Sequence, residues 1–190
     1  MTRRVATPSQ TVGPFFHDGL HRPGWSDLTA GGKAQGEAIR ILGEVRDGDG
    51  APVGDALLEI WQANAAGRYA HPEDRQEKPL DPAFRGFGRV FTDSEGRYAF
   101  TTVRPGPVPG SGNALQAPHI NLSVFARGLL RRLATRIYFA GEALNEADPV
   151  LSRIEDPALR RTLLATPDGA ASWRFDIVLQ GEGETVFLAV

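Results

Sequence analysis

The chain contains no cysteine, so metal binding or covalent chemistry has to be built from histidine, tyrosine, carboxylates and amides. Histidine stands only at positions 17, 21, 71 and 119, and tyrosine only at 69, 98 and 138. The most distinctive segment is DALLEIWQANAAGRYAHPED, in which an apolar strand pattern ends at Trp61 and runs into a polar loop displaying Tyr69 and His71. A second begins at His119 in HINLSVFARG. Residues two apart on a strand share a face, so His119 and Asn121 point the same way, and an H-x-H there would be a ready metal-binding pair. The sequence has H-x-N instead. On residue type alone Tyr69 reads as a loop phenol held by ring packing, with a ligand role as the alternative. Tyr98 and Tyr138 lie inside alternating strands and read as core residues. Phosphate-cradling glycine loops, GxSxG, HExxH and EF-hand loops do not occur in the sequence.

The elements that position these residues follow from composition and periodicity. A chain of 190 residues with 41% hydrophobic and 23% charged positions suits one domain with a real core. Its 21 basic and 23 acidic residues give a net charge of -2, which removes any electrostatic argument for nucleic acid or an anionic membrane surface. No apolar run approaches a membrane span and MTRRVATPSQ lacks the apolar centre of a signal peptide, so the expectation is a cytoplasmic protein. The 22 glycines and 14 prolines favour many turns over a helical bundle.

Period-two alternation marks AIRILGEVRD and DALLEIWQA around the turn DGDGAP, which reads as a β-hairpin or a near neighbour. It also marks RVFTD and RYAFTTV around a Ser-Glu-Gly turn, HINLSVFARG with RLATRIYF, and two last strands around GEGE. Eight short strands predict an all-β fold, a two-layer β-sandwich with short helices and an irregular N-terminal segment. The helices are expected after Asp148-Pro149 and Asp156-Pro157, over VLSRI and ALRRTLLA. The domain reading is a single unit over 1–190: a sandwich core over 36–190 and an irregular arm over 1–35. The arm's Phe15, Phe16, Leu20 and Trp25 are expected to pack on a partner chain.

The segments PSQTVGPFFHDGL, DALLEIWQANAAGRYAH, GRVFTDSEGRYAFTTVRPGPVPG, APHINLSVFARGL and FDIVLQGEGETVF resemble, in order and over nearly the whole chain, the intradiol ring-cleavage dioxygenases. Within that family they resemble the α chains of heteromeric members. The resemblance implies a β-sandwich, a homologous β chain as partner in an αβ heteromer of higher order, and Fe(III) held in that β chain by two Tyr phenolates and two His imidazoles. Hard phenolate oxygens suit ferric iron. Of the four ligand positions, the first Tyr falls on Tyr69 and the first His on His119. The second Tyr falls on Val108 in GPVPG and the second His on Asn121, while an Arg three residues before the first His is represented by Gln116.

This chain's own site is therefore expected to be vestigial, with no metal, and Tyr69 and His119 to serve in packing and hydrogen bonding. The resemblance further implies that Thr11, Gly13, Pro14, Phe15 and Arg127 complete the substrate pocket around the partner's iron, although such α chains often carry Tyr where this one has Phe15. Glycine permits close approach of backbone to ligand, proline fixes the turn, and arginine suits a carboxylate. From the residues alone Arg127 reads equally as an exposed strand-end charge. The implied reaction is intradiol cleavage of 3,4-dihydroxybenzoate (protocatechuate) by O2 to 3-carboxy-cis,cis-muconate. The competing readings are a homomeric enzyme with an altered metal site and a non-enzymatic binding sandwich.

Overall fold

The computed structural model describes residues 5–189. Strand β1 (Ala38–Arg46) buries Ile39, Ile41 and Val45 and turns Arg40 outward, as its alternation dictates. It pairs antiparallel with β4 (Arg97–Val103), Ile41 facing Phe100, and parallel with β10 (Ser172–Arg174) and β11 (Ile177–Val178). The second layer is antiparallel: β3 (Phe87–Phe91), β2 (Leu57–Trp61), β7 (His119–Phe125) and β8 (Leu133–Phe139), in that order. Ile41, Val45 and Phe100 of the first layer meet Leu58, Ile60, Ile120, Leu122 and Val124 of the second in one core. Each such side chain contributes roughly 1.5–3 kcal/mol by leaving water. Strand β9 (Leu164–Pro167) lies parallel to β8 and antiparallel to β10 and so joins the two layers along one edge.

The all-β sandwich stands, but two strand pairs expected as hairpins or near neighbours, β1 with β2 and β3 with β4, do not pair. After β1 the chain does turn back through DGDGAP, with Asp47 N donating to Ala51 O at 2.9 Å and Arg46 bridging Pro52. Pro52 has no N–H to extend the ladder, and the left-handed Asp55 (φ 62°) redirects the chain into the other layer as β2. Strands β3 and β4 likewise part into different layers across the tight Asp93–Gly96 turn. The pairing of β7 with β8 is as expected.

Of the two expected helices, α2 (Pro157–Arg161) forms, its N-terminus capped by the Asp156 side chain accepting from Ala158 N at 2.7 Å. It stops early because Leu163 and Ala165 pair with the edge of β8, where Tyr138 N donates to Leu163 O at 2.8 Å. After Pro149 only a 3₁₀ turn, Leu151–Arg153, is present, behind another at Ala143–Ala147. The carboxylate of Asp148 is turned inward and ties this segment to the core instead of leading a helix. Residues 185–189 do not form a strand either: Leu188 N donates to Ala134 O at 2.7 Å and Thr135 Oγ1 to Val186 O at 2.7 Å, laying the segment along β8. A small hairpin, β5 (Val108–Pro109) with β6 (Leu115–Gln116), was not foreseen.

The N-terminal arm is not wholly irregular. Pro14, with its fixed φ, opens helix α1 (Pro14–Leu20). Much of the arm packs on its own chain: Phe16 tilts onto Phe125 at 5.9 Å, Trp25 meets Phe87 edge-on at 5.8 Å, and Leu28 is fully buried in the core. Phe15 alone of its aromatic residues stays open, 85% exposed. Among the described residues no helix is long and apolar enough to cross a membrane.

Candidate functional site

Strand parity builds the first cluster. Ile120, Leu122 and Val124 take the core side of β7, so His119 and Asn121 take the other, facing Tyr138 and Arg136 across the ladder with β8. The loop carrying Tyr69 is set by Asn64, whose Oδ1 accepts from the N–H groups of Ala66 and Arg68 at 3.0 Å each. Gly67 adopts φ +79°, and a Cβ there would fall 2.1 Å from Pro107 O, so only glycine lets this loop close on the turn that leads into Val108. Tyr69 then stacks on Trp61 with ring centroids 5.7 Å apart, and its N–H donates to Asp74 Oδ2 at 2.8 Å.

These elements bring together all four expected ligand positions and Gln116. Tyr69 Oη lies 3.5 Å from His119 Nε2. Asn121 Nδ2 donates to Tyr69 Oη at 3.3 Å and to Trp61 O at 3.2 Å. His119 Nδ1 sits 2.7 Å from Ala117 O. A carbonyl only accepts, so Nδ1 carries the proton and Nε2 is the acceptor facing the phenol. Val108, buried, pairs across the small hairpin with Gln116. A cleft of about 630 Å³ opens beside them, lined by Trp61, Tyr69, His71, Val108 and Gln116 among others.

Sequence reasoning missed Arg136, Tyr138 and Asp148, which complete the cluster. Arg136 Nε donates to Asn121 Oδ1 at 3.1 Å, and its Nη1 to Gln116 Oε1 at 2.8 Å and Tyr138 Oη at 3.2 Å. Tyr138 Oη donates to the fully buried Asp148 Oδ1 at 3.0 Å. Asp148 also accepts from the N–H groups of Ala117, Val150 and Leu151. The signal was present in RLATRIYF: Arg136 and Tyr138 alternate with Thr135 and Ile137, which puts two polar heads on the face opposite the core.

Electrostatics keep the retained donors neutral. Burial pushes the Tyr69 phenol up, against the opposing hydrogen bond from Asn121 and the charge of Arg136. Burial, aided by Arg136, pushes His119 down to about 4. Tyr138 is pushed up, again chiefly by burial. Ferric iron asks for anionic oxygen donors. Here Val108 offers no donor atom, the amide oxygen of Asn121 is taken by a guanidinium, and that guanidinium brings its own positive charge. The residues present do not fit Fe(III).

A second group lies at the other end of β7. Thr11 Oγ1 accepts from Gly128 N at 2.7 Å, fastening the arm beside Arg127. Gly13 and Pro14 follow as the start of α1, and Phe15 points into solvent. Arg127 leaves 70% of its side chain exposed and reaches Asp55, Nε to Oδ1 at 3.2 Å. Six residues of extended strand separate His119 from Phe125, about 20 Å. The structure therefore brings Thr11 next to Arg127 and keeps both apart from the Tyr69–His119 cluster.

With this geometry in place, comparison with known proteins is specific. A dioxygenase family model matches residues 12–181. The chain is 45% identical over 196 residues to the protocatechuate 3,4-dioxygenase alpha chain of Pseudomonas putida, covering 95% of this chain and 94% of that one. It is 40% identical over 185 residues to the protocatechuate 3,4-dioxygenase beta chain of Burkholderia cepacia, covering 93% and 77%. Among solved structures it resembles the dioxygenase domain of a dioxygenase carbohydrate-binding protein fusion from Streptomyces sp. SirexAA-E. That match has a TM-score of 0.62 and 27% identity over 92% of this chain and 98% of that one.

Proposed function

Because the chain belongs to the intradiol ring-cleavage dioxygenases, we propose that it is the non-metal α chain of a protocatechuate 3,4-dioxygenase, working in a heteromer with a homologous β chain. The observation that carries this reading is the half-dismantled ligand set: Tyr69 and His119 stand 3.5 Å apart, while Val108 and Asn121 occupy the other two positions. Fe(III) belongs to the partner β chain and supplies the catecholate chemistry there.

This chain contributes a wall and a charge. Gly13 and Pro14 present a short, fixed stretch of backbone, Thr11 holds it against Gly128, and Phe15 offers an aromatic face. Arg127 lies near enough to this stretch to direct its guanidinium at the carboxylate of 3,4-dihydroxybenzoate. Its pairing with Asp55 is exposed and weak, so the cation is easily released to an anionic substrate. No proton transfer or redox step is asked of these residues; they orient the substrate and exclude water.

The test is expression of the chain alone and together with a β chain that carries two Tyr ligands and an H-x-H pair. The expected outcome is no iron and no ring cleavage by the chain alone, and conversion of 3,4-dihydroxybenzoate by the co-purified assembly. Stoichiometric iron with a phenolate-to-iron absorption band in the single chain, accompanied by turnover, would overturn this reading in favour of a homomeric enzyme.

A further inference from the structure

We propose that Arg136 is a built-in cation that takes the place of a metal: its guanidinium is what the substituted Gln116 and Asn121, together with Tyr138, now bind. The proposal rests on reading this chain's own site as metal-free. Three elements converge on the one group. Asn121 on β7 accepts at its Oδ1 from Arg136 Nε, and Gln116 on β6 and Tyr138 on β8 accept from Nη1. All three acceptors are neutral, which suits a guanidinium, a group that donates and never accepts. Asn121 is used at both ends, since its Nδ2 donates to Tyr69 Oη and Trp61 O, so the amide orients the Tyr69 phenol as well as the cation. Charge is balanced at one remove. Tyr138 keeps its proton and donates it in a hydrogen bond to the buried Asp148, whose carboxylate is otherwise held by three backbone N–H groups.

An imidazole at position 121 in place of the amide would remove the oxygen that Arg136 uses and leave the cation facing the incoming ion. Two positive charges a few ångströms apart in a half-buried site repel strongly. Restoring the missing ligands is therefore insufficient while Arg136 is present.

The experiment compares full-length chains produced with added iron: the unmodified chain, Val108→Tyr with Asn121→His, and the same pair with Arg136→Gln. Iron per chain and the phenolate-to-iron absorption band are measured, with melting curves to establish folding. The expected result is at least about tenfold more bound iron in the triple variant than in the double. Equal iron in double and triple variants would overturn the role of Arg136, as would a folded triple variant without iron. Iron in the unmodified chain would instead overturn the metal-free reading itself. Arg136→Gln alone provides a second measure that does not depend on the engineered ligands. Its melting temperature should fall by about 5 °C, with partial recovery in Arg136→Lys, because three side-chain acceptors lose a charged donor. An unchanged melting temperature would mean that Arg136 is only a solvated strand charge.

Discussion

In the proposed assembly Arg127 is the cation offered to the substrate, because its own chain holds it loosely. Its partner Asp55 is itself 43% exposed, and an exposed ion pair contributes little to folding. Arg127→Ala should therefore leave assembly and iron content intact while lowering kcat/KM for 3,4-dihydroxybenzoate by about one to two decades, the worth of a lost charge-assisted contact of roughly 1.5–3 kcal/mol. Catechol lacks the carboxylate and serves as the control, and its loss should be much smaller. Equal losses on both substrates would assign Arg127 to packing, and no loss on either would leave it a surface charge.

At the scale of elements, the turn that brings the Tyr69 loop against Pro107 tolerates no side chain. Gly67→Ala would need a left-handed backbone and would drive a methyl into Pro107 O, so the unfolding midpoint should drop by the equivalent of about 2 kcal/mol or more. Fluorescence of Trp61, which stacks on Tyr69, reports whether the loop has moved; an unperturbed melt and spectrum would contradict the assignment. Individual strands and turns could be read from alternation and from Gly, Pro and Asp, and the resemblance pointed to Tyr69, Val108, His119 and Asn121, which the fold brings close together. Partnership between strands could not. DGDGAP marks a reversal equally well whether the next strand pairs with the last or crosses to the other layer, and here Pro52 and Asp55 decided that. ALRRTLLA carries a helical start, but its second half answers to an open edge of β8, a tertiary demand invisible locally. Arg136 was missed for the same reason: its meaning depends on standing opposite Asn121, and register is not written in either strand alone.

For the whole molecule, the proposed assembly with a β chain concentrates attention on the end where the arm meets β7. Phe15 is 85% exposed and Leu130 60%, so neither supports this chain's own core. Phe15→Ser should leave the melting of the isolated chain unchanged and weaken association with the β chain by tenfold or more, as expected for an aromatic anchor worth about 2 kcal/mol. A sizing-column titration reads this directly, and undiminished association would remove Phe15 from the interface. Strand β7 also carries a consequence for descent. Its His119 end and Arg127, just past its other end, lie too far apart to share an environment, so substitutions at one do not couple to the other. After duplication of an ancestral gene, a copy can shed its metal ligands at one end, one at a time, while selection continues to hold the opposite end in the service of its sister chain.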